Sequence, residues 1–143
     1  MAGVKLVNKD ATFEFELLEN VTEVDFSAFV CAFYSGVHFY WREEPGTDQR
    51  VVYEVDECPE IKEGAIFVTF IRCSDPEVQF MGGLSLKSGA EEVKKKLKRN
   101  GFKIEQDSTA NGLMYRAKKG KLSVFIDYSE ERINFVSFMY HRD

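Results

Sequence analysis

Residues 88–140, SGAEEVKKKLKRNGFKIEQDSTANGLMYRAKKGKLSVFIDYSEERINFVSFMY, carry the pattern that decides the fold. Ser88-Gly89-Ala90-Glu91 fits a capping box, with Ser88 as N-cap and Glu91 at N3. Acids follow in the first turn and bases in the last, as the helix dipole favours. Glu91–Lys95 and Glu92–Lys96 are i,i+4 pairs in the favourable order, and Asn100-Gly101 is a stop. Ala90, Val93 and Leu97 make one thin apolar stripe, so this helix, about Gly89–Asn100, should bury a single face. Four strand-like runs come next: Phe102–Gln106, Leu113–Lys118, Leu122–Tyr128 and Ile133–Tyr140. The connections between them are short and polar, which forces neighbouring antiparallel strands. A helix followed by a β-meander is the expectation.

Working toward the N-terminus, Ala65–Arg72 (AIFVTFIR) is apolar on both faces. It should lie in the middle of a sheet covered on both sides. Val37–Arg42 and Arg50–Val55 alternate, and Glu44-Pro45-Gly46-Thr47-Asp48 between them is a turn signal, which together predict a hairpin with a longer loop. In residues 25–36, Phe26, Phe29, Val30, Phe33 and Tyr34 fall at helical spacing behind Asp25 as a possible N-cap. Helix is favoured there, and a buried strand stays open. Thr12–Leu18 (TFEFELL) alternates as a half-buried strand. The fold class is therefore α+β, mainly an antiparallel β-sheet with one or two helices packed on it. Nothing marks a domain boundary, so residues 1–143 are expected to form a single domain. A degenerate tandem of two helix-plus-meander halves, about 25–73 and 84–140, is compatible with the pattern.

The chain has 143 residues, with 44% hydrophobic and 14% aromatic residues and 13 phenylalanines. That is enough apolar surface for a core without disulfide or metal support. No run approaches the roughly 20 apolar residues of a membrane helix, which argues against a membrane partner. The opening MAGVKLVNKDATFEF lacks the apolar stretch of a signal peptide. Three cysteines, Cys31, Cys58 and Cys73, show no C-x-x-C spacing. A reducing, cytoplasmic setting is the expectation. Net charge is −5 but uneven: residues 1–64 hold 5 Lys+Arg and 14 Asp+Glu, a net −9, and residues 65–143 hold 14 and 10, a net +4.

The stretch from about Leu84 to Tyr140 resembles the helix-plus-meander module of the β-lactamase-inhibitor protein and of outer-membrane assembly lipoproteins of related architecture. The likeness rests on SLKSGAEEVKKKLKRNGF, on the Tyr115 strand GLMYRAKKG, and on LSVFIDY and RINFVSFMY. It implies a fold and a tendency to bind proteins. Small bacterial immunity proteins share this size and texture by analogy.

Constellations for chemistry are missing from the sequence. His38 and His141 lie far apart, and the cysteines are 27 and 15 residues apart, so no ligand spacing suggests a metal. Cys58 sits in acidic DECPE, where neighbouring carboxylates disfavour a thiolate. No phosphate loop, carboxylate dyad or cofactor motif is present. Catalytic residues, metal ligands and cofactors are all expected to be none. Lys94, Lys95, Lys96, Lys98 and Arg99, with Lys87 and Lys103, make a basic helix that could touch nucleic acid. Spread round the helix without an aromatic platform, they read better as a solvated surface. The remaining candidate is the acidic hairpin. Tyr40, Arg42 and Tyr53 are residue types that dominate binding hot spots, and Glu43, Glu44 and Asp48 lie beside them. Trp41 shares a strand face with Val37 and Phe39 and reads as core. A non-enzymatic protein-binding module, inhibitor- or immunity-like, facing a basic partner, is the expectation; a small enzyme or ligand-binding domain is the alternative.

Overall fold

The computed structural model describes residues 2–42, 50–107, 114–129 and 132–141. Eight antiparallel strands form one sheet: β1 (Val30–Tyr34), β2 (Val37–Trp41), β3 (Val51–Glu57), β4 (Ile66–Cys73), β5 (Lys103–Asp107), β6 (Met114–Lys119), β7 (Leu122–Ser129) and β8 (Arg132–Tyr140). Their spatial order is β1-β2-β3-β4-β8-β7-β6-β5. Two four-stranded meanders thus meet where their last strands, β4 and β8, pair through Phe70↔Met139 to Cys73↔Val136. The two runs that are apolar on both faces take the two central positions. Beyond Phe70, β4 is joined instead by the N-terminal segment: Leu18 N–H donates to Val68, Val68 N–H to Glu19, and Val21 N–H to Ile66.

The register separates two faces. Cys31, Tyr40, Tyr53, Ile71, Phe138, Val124, Ala117 and Ile104 oppose one another across all eight strands. Most of this row belongs to the core, which α1 (Ala2–Asn8), α2 (Ala90–Arg99) and the N-terminal segment cover. We call this the inner face. One residue along, Ala32, Phe39, Glu54, Phe70, Met139, Ser123, Lys118 and Lys103 form the parallel row on the other side, since successive side chains alternate.

Val93 and Leu97 are fully buried, as the stripe on α2 predicts. Lys94 departs from it: only 6% exposed, its ammonium pairs with Glu91 at 3.2 Å and lies 5.0 Å from the Tyr115 ring centre. Its stem covers apolar surface while its head finds an acid and a π face. The expected capping box does not form. Gly89 is the N-cap, and the Ser88 hydroxyl turns back to accept from Ser85 N–H at 3.2 Å. Leu97→Ala should lower stability by about 2–5 kcal/mol, the range for emptying a fully buried leucine site, measured by urea unfolding; a loss under about 1 kcal/mol would mean that α2 does not seal the inner face.

Two segments correct the sequence-based expectation. Residues 25–36 are not a helix. Asp25 does cap, accepting from Ser27 N–H at 2.9 Å, but only a 3-10 turn follows (Phe26–Ala28) before β1 begins. Ser35 (φ 53°) and Gly36 (φ 82°) then close a two-residue hairpin into β2, a positive-φ pair that matches the twist of the strands it joins. Residues 12–18 keep the predicted alternation, with Phe15 and Leu17 buried and Thr12, Glu14 and Glu16 exposed, yet form no strand. Their N–H groups go elsewhere: Thr12 to the Gln79 carbonyl, Glu14 to the Tyr53 hydroxyl, Leu17 to Asn8 Oδ1. Alternating burial here comes from an irregular strap, bent at Glu14–Phe15 and turning at Leu17–Leu18, not from a strand ladder.

Candidate binding surface on the open face of the sheet

Among the described residues, no helix lies over the second face. Four phenylalanines, Phe39, Phe70, Phe125 and Phe135, are half-buried there together with Met139, and none belongs to the core cluster. Phe125 and Phe135 stack with centroids 6.0 Å apart, and Phe39 meets Phe70 edge-on at 6.1 Å. Trp41 is buried, as expected, but it also stands outside the core cluster. It lies on the same side of β2 as Phe39 and opposes Val30 of β1 in the register.

At the centre of this face the side-chain sizes create a depression. Ser123 and Ser137, each 7% exposed, form a low floor, and Phe70, Phe125, Phe135 and Met139 stand around it. Small residues among large ones on a pleated surface leave a cleft, here of about 340 Å³. Among the described residues, its charged or titratable lining residues are Arg72, Arg116 and His141, and no carboxylate lines it. The Arg72 guanidinium stands 6.0 Å from the Phe135 ring centre. Arg116 reaches Glu105 only at 3.8 Å, with both side chains well exposed, a pair of little strength. His141 is tied down: its Nε2 lies 2.6 Å from Ser123 Oγ and its backbone N–H donates to the Lys121 carbonyl.

The contrast with the other depressions is electrostatic. The one at Glu14, Arg42, Arg50 and Asp75 is spanned by its own ion pairs, Arg42–Glu14 at 2.7 Å and Arg50–Asp75 at 3.8 Å. Its charges are already answered within the chain.

The hairpin residues singled out in the sequence fall elsewhere. Tyr53 is 2% exposed and sits in the core, where its hydroxyl accepts the N–H of Glu14 at 2.9 Å and of Phe15 at 3.4 Å. It cannot touch a partner in this fold. Tyr40, its cross-strand neighbour, faces inward against Phe26 with centroids 4.8 Å apart. Arg42 is exposed, but its Nε is held by both oxygens of Glu14 and its guanidinium stands 4.4 Å from the Phe29 ring centre. Glu43, Glu44 and Asp48 lie outside the described residues. The structure therefore does not bring Tyr40, Arg42 and Tyr53 together as one exposed patch. It assembles a different set, Phe70, Arg72, Arg116, Phe125, Phe135 and His141. The phenylalanines had a sequence signal, a surplus on strand-like runs such as Ala65–Arg72, read as covered on both sides, and the arginines and His141 had none. An antiparallel sheet can leave one face to solvent, and the surplus then becomes surface.

Ser123 and His141 are a nucleophile and a base at hydrogen-bond distance. Among the described residues no carboxylate orients the imidazole, which the usual arrangement requires. No group of three His, Cys, Asp or Glu converges as metal ligands among the described residues. The exposed side of α2, with its lysines, faces away from the cleft on the opposite layer. Among the described residues, no helix is long and apolar enough to cross a membrane. Comparison with family models, characterised proteins and solved structures finds no match.

Proposed function

We propose that the protein is a non-catalytic binding module that engages a protein partner through the open face of its sheet, in the manner of an inhibitor or immunity protein. The observation that carries this reading is the cluster of Phe39, Phe70, Phe125, Phe135 and Met139, left without a covering helix among the described residues, with Arg72 and Arg116 at the two ends of the Ser137–Phe125 row. Phenylalanine, methionine and arginine are among the residue types enriched at protein interfaces. Contiguous apolar surface of this kind on a folded chain marks an interaction site. The helix-plus-meander resemblance points the same way. The acidic hairpin is a weaker candidate, because Tyr53 is buried and Arg42 is already paired within the chain.

Three baits test it in the native host: the wild-type chain, a Phe125→Ala/Phe135→Ala variant, and a Glu43→Lys/Glu44→Lys/Asp48→Lys variant, all first matched for circular dichroism. A specific partner should be captured by the wild type and the hairpin variant and lost with the open-face variant. Loss confined to the hairpin variant would transfer the function to the acidic loop and a basic partner.

A further inference from the structure

We infer that the cleft selects an acidic segment of its partner: an extended stretch with carboxylates at positions i and i+4 and an apolar side chain at i+2. This rests on the open face being the protein-binding surface. The inference comes from spacing. Arg72, Ser137, Phe125 and Arg116 stand in register on β4, β8, β7 and β6. Three inter-strand steps put the two arginine backbones roughly 14 Å apart. An extended chain advances roughly 3.4 Å per residue, so four residues also cover roughly 14 Å, and i, i+2 and i+4 point to the same side. A segment crossing the strands over this row would bring its outer carboxylates to Arg72 and Arg116. Its middle side chain would enter the dip beside Phe125, above Ser137.

Charge complementarity fixes the sign. Among the described residues no carboxylate lines the cleft, and none lies within 4 Å of the Arg72 guanidinium. Arg116 has only the exposed 3.8 Å pair with Glu105, which a better-placed acid can replace. Guanidinium groups bind carboxylates through two parallel hydrogen bonds, which gives direction as well as strength. A nucleic acid fits less well. Glu54 and Asp127 also stand on this face, in register with Phe70 and Phe135, and the chain carries −5 overall. A continuous polyphosphate meets that acidity, whereas two spaced carboxylates avoid it.

The test uses the whole chain, with amide shifts followed by NMR as four probes are added: the capped peptide Ser-Glu-Ala-Phe-Ala-Glu-Ser, its Gln-for-Glu counterpart, the respaced Ser-Glu-Glu-Phe-Ala-Ala-Ser, and a ten-nucleotide oligothymidylate. The first peptide should bind best and shift the amides around Arg72, Phe125 and Arg116. Its Gln counterpart should bind at least about tenfold more weakly, because each charged hydrogen-bonded contact is worth about a factor of ten or more. The respaced peptide should fall between them. Arg72→Gln and Arg116→Gln, which keep the side-chain bulk on a folded sheet, should each bring the Glu peptide down toward the Gln peptide. Equal binding of the Glu and Gln peptides overturns the inference, and so does tighter binding of the oligonucleotide. A silent response to every peptide, from a chain whose open face still captures its native partner, overturns the inference and leaves the binding-module reading standing. If capture from the host ignores the open face, the broader reading itself fails.

Discussion

Phe138→Ala should destabilise the chain by about 3–5 kcal/mol, while Phe125→Ala, on the neighbouring strand, should cost about 1 kcal/mol or less. The two residues stand one position apart in the register, since Phe138 opposes Val124 on β7 and Phe125 opposes Ser137 on β8. They point to opposite faces. Phe138 is fully buried on the inner face, edge-on to Phe80 at 5.4 Å and to Phe13 at 5.9 Å. Removing it empties a site closed by the N-terminal strap and the Phe80 loop, with little room to collapse. Phe125 has only its stack with Phe135 and the cleft margin to lose. Urea unfolding of both variants, with slopes compared so that a changed unfolded state is noticed, should show a gap of at least about 2 kcal/mol. Equal costs would mean that the second face is packed under another part of the molecule, and the candidate surface would vanish with it.

The meander was legible because its evidence is local. Alternation on β6, β7 and β8 and turn residues such as Gly120, at φ 58°, act over a few residues, and short loops leave one way to pair the strands. The central places of β4 and β8 were legible for a different reason: charge-poor strands fit badly at an edge. What failed depended on partners outside each segment. Residues 25–36 have helical spacing, but Val30–Tyr34 pairs with β2 across a positive-φ turn, and hydrogen bonds to a neighbouring strand outweigh the helical propensity of the run. Residues 12–18 have strand alternation, but Asn8, Tyr53 and Gln79 take their N–H groups, and only the last of these is a backbone partner.

The site was illegible for the same kind of reason. Arg72 and Arg116 are 44 residues apart in the chain and meet over one cleft only because β4 pairs with β8 rather than with β5. The charge split between the sequence halves did not locate the site either. The basic half supplies Arg72 and Arg116 to the open face but also the lysines of α2 to the opposite layer, and one of those, Lys94, is buried. Tyr53 reads as a hot spot by residue type, in one hairpin with Tyr40 and Arg42, but in the fold it shares the inner side with Tyr40. The strap that covers that side is held there by hydrogen bonds to Tyr53 itself.

Raising the pH above 9 should erode stability well before general alkaline unfolding, and Cys73 should lead. Burial pushes its thiol from 9.0 to about 11, partly offset by its hydrogen bond to the Asp75 backbone. Burial likewise pushes the Tyr53 hydroxyl from 10.0 to about 12, partly offset by the N–H groups it accepts from Phe15 and Glu14. Both groups are neutral when protonated, and the unfolded chain releases each proton at lower pH than the folded chain. Their contribution is therefore whole below the unfolded values and is lost as pH rises, from 9 to 11 for Cys73 and from 10 to 12 for Tyr53. A two-unit difference is worth about 3 kcal/mol for each group. Urea unfolding in reductant should give a wild-type stability that is flat up to about pH 9 and then falls. Cys73→Ala should begin lower at pH 7, because a buried side chain has been trimmed, and then fall more slowly between pH 9 and 11, so that the two curves converge. Tyr53→Phe should also begin lower, because the N–H groups of Glu14 and Phe15 lose their acceptor. It keeps the fall that starts at pH 9 and lacks the part between 10 and 12. Parallel curves for the wild type and Cys73→Ala through pH 9–11 would show that the thiol is not held in the low-dielectric interior beneath the strap, and would place the open side of the sheet where the closed one is drawn.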